Sequence, residues 1–262
     1  MMATQPSALT RYPEIDELLY ELHRDIHTIL ADHLVGLYVH GSVAAGNFVP
    51  NRSDIDFVAA TATELTADQI NALATMHKAL QCSGMQWATI LEGSYIPLQA
   101  LRRYDPNQAD HPALSTDGAF RIDGHGSDWI IQRYLIRKQG IAVAGPPAAT
   151  LIDPVSPAEL RQAARGILQE WWAPQVYDHT ELQDDEYQAY AILTMCRALY
   201  TVQHGEIVAK AVAARWTQQE LGLEWQELIN AALQWRYGMR LNRLAETIAF
   251  IRYMLDKLAI PF

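Results

Sequence analysis

The chain has 262 residues, half of them hydrophobic, which is enough for one large domain or two of ordinary size with their own cores. Its 30 acidic against 20 basic residues leave a formal net charge of -10. Nucleic-acid binding calls for an electropositive footprint, so neither DNA nor RNA is the expected partner, and a cationic small molecule suits the balance better. Cys82 and Cys196 stand far apart with no Cys/His metal spacing, which argues against a disulfide framework and a structural zinc. The opening MMATQPSALTRYPEIDELL lacks a basic start followed by an apolar core, and no apolar run is long enough to span a bilayer. The expectation is a cytoplasmic protein with no membrane partner.

In chain order, Ile15, Leu18, Leu19, Leu22, Ile26, Ile29 and Leu30 recur at helical spacing and predict a helix from about Pro13 to Ala31. The period then changes. Leu34–Val39 reads as a short buried strand that ends at His40-Gly41-Ser42, and Asp54–Ala59 reads as a second. A helix over Thr66–Gln81 and a third strand over Trp87–Ile96, stopped by Pro97, follow. From Tyr104 the chain is looser, rich in Pro and Gly, until Ser127 offers an N-cap for a helix ending at Gly140. Ser156-Pro157-Ala158-Glu159 combines a Ser cap, Pro at the first helical position and a capping-box Glu. Beyond it, Asp184–His204, Val208–Trp216, Gln218–Tyr237 and Leu241–Leu258 each carry helical spacing. The reading is therefore an α/β domain, a mixed sheet with helices, over 1–154, then an all-α helical bundle over 155–262.

The chemistry concentrates in His40-Gly41-Ser42, eleven residues, then Asp54-Ile55-Asp56. Alternate residues of a strand share a face, so Asp54 and Asp56 project together while Ile55 and Phe57 pack behind them. Two close carboxylates repel unless a cation lies between them, and magnesium takes one or two carboxylates together with phosphate oxygens. Gly41-Ser42 at a strand end suits a phosphate, through close backbone approach and a hydroxyl donor. Glu92, a charge inside an otherwise apolar strand, is the candidate third carboxylate and general base. A strand-edge glutamate facing water is the plainer reading of the same residue.

This Gly-Ser followed by Asp-hydrophobic-Asp resembles the signature of the polymerase-beta-like nucleotidyltransferases. More narrowly, Leu91–Ile96, Gly145-Pro146-Pro147, Ile152-Asp153-Pro154-Val155, Ile192–Tyr200 and Gly205-Glu206-Ile207 with Lys210, Ala213 and Trp216 are similar to segments of the streptomycin/spectinomycin adenylyltransferases. The resemblance runs from about Gly36 to Tyr237. It implies a nucleotidyltransferase domain followed by a helical domain, with Asp54, Asp56 and Glu92 as magnesium ligands and Glu92 as catalytic base. It places Ser42 and Ser53 at phosphates beside Gly41, Arg197 and Lys210 at the triphosphate, and Tyr237 near the nucleotide.

For the acceptor, Trp171 and Trp172 would supply a flat apolar wall, and Asp178, Asp184 and Asp185 carboxylates for a polycationic sugar. A solvated acidic loop leading into a helix explains those residues too. The chain is longer than the family pattern between Trp171 and Arg197, so roles do not transfer residue by residue there. His125 and Asp128 are candidates for a cleft-lining loop. The implied reaction is magnesium-dependent transfer of AMP from ATP to a hydroxyl of an aminoglycoside by a monomeric enzyme, releasing pyrophosphate. The alternative is nucleotidyl transfer to another small-molecule or protein acceptor.

Overall fold

The computed structural model describes residues 8–50, 53–115, 117–236 and 238–262. They fall into two compact units: the described residues of Met1–His125 with Gln132–Pro154, and Gly126–Ile131 with Val155–Phe262. The first unit is built on a mixed six-stranded sheet in the order β5-β4-β3-β2-β1-β6. Its strands are β1 (Leu34–Val39), β2 (Ile55–Thr61), β3 (Leu91–Pro97), β4 (Asp110–Leu114), β5 (Phe120–Gly124) and β6 (Ile141–Ala144). β2 and β3 run parallel, and the other neighbours pair antiparallel.

The helices α1 (Pro13–Leu30) and α3 (Ala67–Gln81) lay their apolar stripes into one core. Ile15, Leu18, Leu22 and Ile26 of α1 and Leu73 of α3 are buried there with Leu37, Ile55, Phe57, Leu91 and Tyr95 from the strands. Thr66 caps α3 with a reciprocal capping box to Gln69. The parallel pair is joined through α3, as such strands must be, because a tight turn cannot reverse the chain direction twice. Short helices α2 (Gly41–Ala44), α4 (Leu98–Arg102) and α6 (Ala148–Leu151) turn the chain between longer elements, and α5 (Asp128–Gln139) precedes β6.

One strand assignment shifts and three strands go unread. Trp87–Ile90 is not strand: Trp87 adopts a left-handed backbone and Ala88–Ile90 a 3-10 turn before β3 starts. The stretch after Tyr104 holds a β4–β5 hairpin that the sequence does not announce, because Pro112 sits within β4 and both strands are only five residues long. β6 escapes sequence reading for a related reason, being four residues wedged between Gly140 and the Gly145-Pro146-Pro147 turn.

The second unit is helical: α7 (Pro157–Ile167), α8 (Asp185–His204), α9 (Lys210–Leu221), α10 (Gln226–Gln234) and α11 (Leu244–Lys257). Ser156 and Glu159 form the expected capping box. Asp184 caps α8, accepting the Tyr187 N–H at 3.0 Å, and Gly205 ends it in a left-handed conformation with φ +70°. The break expected near Thr217 instead falls after Gly222, so α9 runs through Thr217, which is fully buried. Ile192, Met195 and Leu199 of α8 meet Trp172, Ile229, Phe250, Ile251 and Met254 in a single core. No helix among the described residues is long and apolar enough to cross a membrane.

Within the first core, His77 stands among the rings of Phe57, Tyr95 and Phe120, and its Nε2 shares a 2.7 Å hydrogen bond with the Tyr95 hydroxyl. Burial lowers its pKa from 6.5 to about 4, so the unfolded chain binds a proton that the folded chain refuses. Stability from this residue is therefore lost as pH falls from 6.5 towards 4, by up to about 1.4 kcal/mol per pH unit. Urea denaturation of the parent and His77→Phe at pH 7 and pH 5 should show a smaller acid loss in the variant. Equal losses would contradict a buried neutral imidazole.

Candidate active site

The site is assembled at the start of the parallel pair. The register sets Asp56 directly beside Glu92 and Ile55 beside Leu91. Paired residues of adjacent strands point to the same face, so the two carboxylates stand together while Ile55 and Phe57 enter the core. Asp54 precedes β2 by one residue and lies on the same side as Asp56, partly exposed. β1 ends alongside, where the His40 N–H donates to the Asp56 carbonyl at 3.0 Å.

The turn that follows is shaped around Asp56. Gly41 has φ +61°, and a Cβ there would lie 1.9 Å from Asp56 Oδ2. No residue with a side chain fits that place without displacing the carboxylate. The Ser42 backbone N–H donates to the Asp56 carboxylate, and Ser42 Oγ donates to the Asp54 carbonyl at 3.5 Å. Ser53 faces its own loop: its hydroxyl accepts the Val49 N–H at 3.1 Å.

The electrostatics follow from this crowding. Burial, then the charges of Glu92 and Asp54, push the Asp56 carboxyl up to about 7, against the opposing Ser42 N–H. Glu92 is raised by burial and by Asp54 and Asp123, and Asp54 is raised by burial. Asp123, on β5, is a fourth carboxylate bearing on this site that the sequence reading does not name. Its only sequence signal was a position in a hairpin that the sequence does not announce.

An all-oxygen, mutually repelling donor set suits a hard cation such as magnesium. Among the described residues no group of three or more His, Cys, Asp or Glu side chains is gathered closely enough to hold a metal ion as it stands. That is compatible with magnesium, which uses one or two carboxylates and the phosphates of its substrate rather than a closed protein cage.

In the helical unit, Arg197 lies half-buried on α8 and Lys210 opens α9. The Lys210 ammonium sits 4.1 Å from the centroid of Tyr190, a cation–π contact, and Tyr190 precedes Arg197 by two turns of α8. Both cations thus gather round one partly exposed ring. Tyr237 lies outside the described residues.

The acceptor candidates divide. Trp171 is exposed, its indole N–H donating to the Tyr187 hydroxyl at 2.7 Å, so it stands as a braced apolar plate. Trp172 does not: it is 1% exposed and packs inside the helical core, which corrects the expected paired wall. The acids are occupied locally. Asp178 accepts from the backbone N–H and hydroxyl of Thr180, Asp184 caps α8, and Asp185 accepts the Asn242 N–H at 2.7 Å. Asp128 lies close to Glu170, whose carboxylate accepts the N–H and hydroxyl of Ser127 at 3.1 and 2.7 Å. His125 is buried and does not line an open surface.

Comparison with known proteins adds what geometry alone does not. Residues 150–257 match the model of the aminoglycoside adenylyltransferase C-terminal domain. An aminoglycoside (3'') (9) adenylyltransferase of Escherichia coli is 25% identical over 88% of this chain and 89% of its own length. A spectinomycin 9-adenylyltransferase of Campylobacter jejuni is 24% identical over 87% of this chain and 89% of its own. The crystal structure of a spectinomycin adenyltransferase from Enterococcus faecialis, solved with ATP and spectinomycin, superposes with a TM-score of 0.72 at 20% identity. That superposition covers 93% of this chain and 98% of the other, and it shows the shared fold. The helical segment thus matches the C-terminal domain of the aminoglycoside adenylyltransferases, and relatives named as adenylyltransferases align along most of the chain.

Proposed function

We propose that the protein transfers AMP from ATP to a hydroxyl of an aminoglycoside or aminocyclitol antibiotic of the streptomycin or spectinomycin type, releasing pyrophosphate in a magnesium-dependent reaction. The observation that carries this reading is the register of β2 against β3, which places Asp56 beside Glu92 under the Gly41 turn. The relatives of similar length named for this chemistry support it. The cytoplasm, where ATP is abundant, is the proposed location, and a monomer the proposed form.

In this mechanism Glu92 takes the proton of the acceptor hydroxyl. Burial, then the charges of Asp54 and Asp123, raise its pKa, which makes it a stronger base than a solvated glutamate. The hydroxyl oxygen attacks the α-phosphorus and pyrophosphate leaves. Asp54, Asp56 and Glu92 would hold magnesium, which when bound supplies charge neutralisation at the phosphates. Gly41 and Ser42 are assigned to a phosphate beside the turn that the Asp56 carboxylate fills, and Ser53, whose hydroxyl accepts the Val49 N–H, steadies the loop before β2. Arg197 and Lys210 are assigned the triphosphate charge, and Trp171 a face of the acceptor. Most of the rate enhancement in such transfers comes from positioning and electrostatic stabilisation.

A second reading keeps the reaction and changes the acceptor to another small molecule or a protein. The observation favouring it is that Asp178, Asp184 and Asp185 already serve their own loop and helix cap. Pyrophosphate release from ATP with streptomycin, with spectinomycin and with neither drug separates the two. Drug-dependent release that disappears in EDTA supports antibiotic adenylylation, and release with neither drug alone nor both sends the search to other acceptors.

Two variants test the assignments. Glu92→Gln should lower drug-dependent release by about 100-fold or more while ATP binding survives. Full activity in that variant would remove Glu92 as the base. Gly41→Ala should cost activity on a similar scale, about 100-fold, because the new methyl displaces Asp56. Its circular dichroism should stay unchanged, and an active Gly41→Ala enzyme would show that the turn has room the geometry denies it.

A further inference from the structure

The polar side chains buried behind Glu92 are not used by the mechanism above. β3 carries Glu92 at its second position and Ser94 at its fourth, on the same face. Glu92 is exposed, whereas Ser94 is 4% exposed. Ser94 Oγ shares a 3.1 Å hydrogen bond with His125 Nε2. His125 is itself tied at two further points: its N–H donates to the Ala109 carbonyl at 2.8 Å, and its carbonyl accepts the Tyr104 hydroxyl at 3.1 Å. The His111 ring stacks edgewise against it, 4.7 Å between centroids. Arg133 lies over the Tyr104 ring and donates to the Ala100 and Leu101 carbonyls of α4, the helix into which β3 runs.

A hydroxyl, two imidazoles and a guanidinium are costly to bury, and a strand end needs none of them for packing alone. Their common effect is to hold β3 from behind, at Ser94 and again just past Pro97. Among the described residues the β3–β4 ladder is short, pairing Gly93 with Leu114 and Ser94 with Ala113. Strand pairing on that side therefore gives little support to the segment that presents the base.

We propose that Ser94 and His125 form a buried anchor that positions Glu92 for proton abstraction, with Tyr104, His111 and Arg133 holding the histidine in place. The inference rests on Glu92 being the base, as proposed above. Neither Ser94 nor His125 touches the reacting atoms; both are positioning residues. Burial, with His111 and Arg133 adjacent, keeps the His125 imidazole neutral, so the anchor restrains Glu92 without adding a charge beside it.

The test is steady-state kinetics of Ser94→Ala, His125→Ala, the double variant and the conservative His125→Gln, with ATP and the preferred drug. Both alanine variants should lower kcat by about 10- to 100-fold with KM for ATP changed by less than about 2-fold. The double variant should be no worse than the poorer single one, because both break one contact. His125→Gln, which can still meet the Ser94 hydroxyl, should recover most of the loss. Multiplying effects in the double variant, a change confined to KM, or unchanged kcat would overturn the proposal. Should His125→Ala fail to fold, Ser94→Ala alone decides, since it removes only one hydroxyl. Should the parent turn over no drug, the functional reading fails separately, and amide exchange judges the anchor. Faster exchange at Gly93–Tyr95 in Ser94→Ala supports the anchor, and unchanged protection overturns it.

Discussion

The parallel pairing of β2 with β3 is the constraint on which the rest of this molecule turns. A register fixed by the apolar residues on one face decides which polar residues meet on the other. Ile55, Phe57, Leu91 and Tyr95 must enter the core with α1 and α3, and Asp56 and Glu92 are then neighbours whether or not their charges favour it. A slip of one residue would bury the carboxylates and expose the core side chains. Hydrophobic burial thus holds like charges together, and the raised Asp56 pKa records the strain of that arrangement.

The surrounding structure relieves only part of this repulsion. Two backbone N–H groups, those of Asp56 itself and of Ser42, reach the Asp56 carboxylate, the second because Gly41 leaves the space a side chain would take. The balance left over is what a divalent cation and a nucleotide would satisfy. In this sense the clustered carboxylates are destabilising in a direction that a bound cation would reverse, which is common where function and stability compete for the same residues.

Much of this was legible in the sequence, for reasons that also explain what was not. The strand–Gly-Ser–loop–Asp-Ile-Asp pattern is local, and a period of two leads directly from residue order to a shared face. The helix caps at Thr66, Ser156 and Asp184 were equally local, and each stands at the start of a helix that the sequence predicts. The β4–β5 hairpin was not legible, since Pro112 argues against a strand and both runs are only five residues long, and with it went Asp123 and the burial of His125. The Trp171-Trp172 pair failed differently. Adjacent aromatics look alike in a sequence, and only the helical packing around them decides which ring is buried.

That pair sits in a π-helical turn, Leu168–Trp172, continuing from α7. One indole is locked among Ile192, Met195 and Phe250, while the next one along the backbone stands in solvent, braced by a single hydroxyl. A smaller side chain at position 172 would empty the centre of the helical unit, whereas a change at position 171 would leave that core untouched. Two neighbouring residues thus carry opposite burdens, one filling the body and the other facing whatever the surface meets.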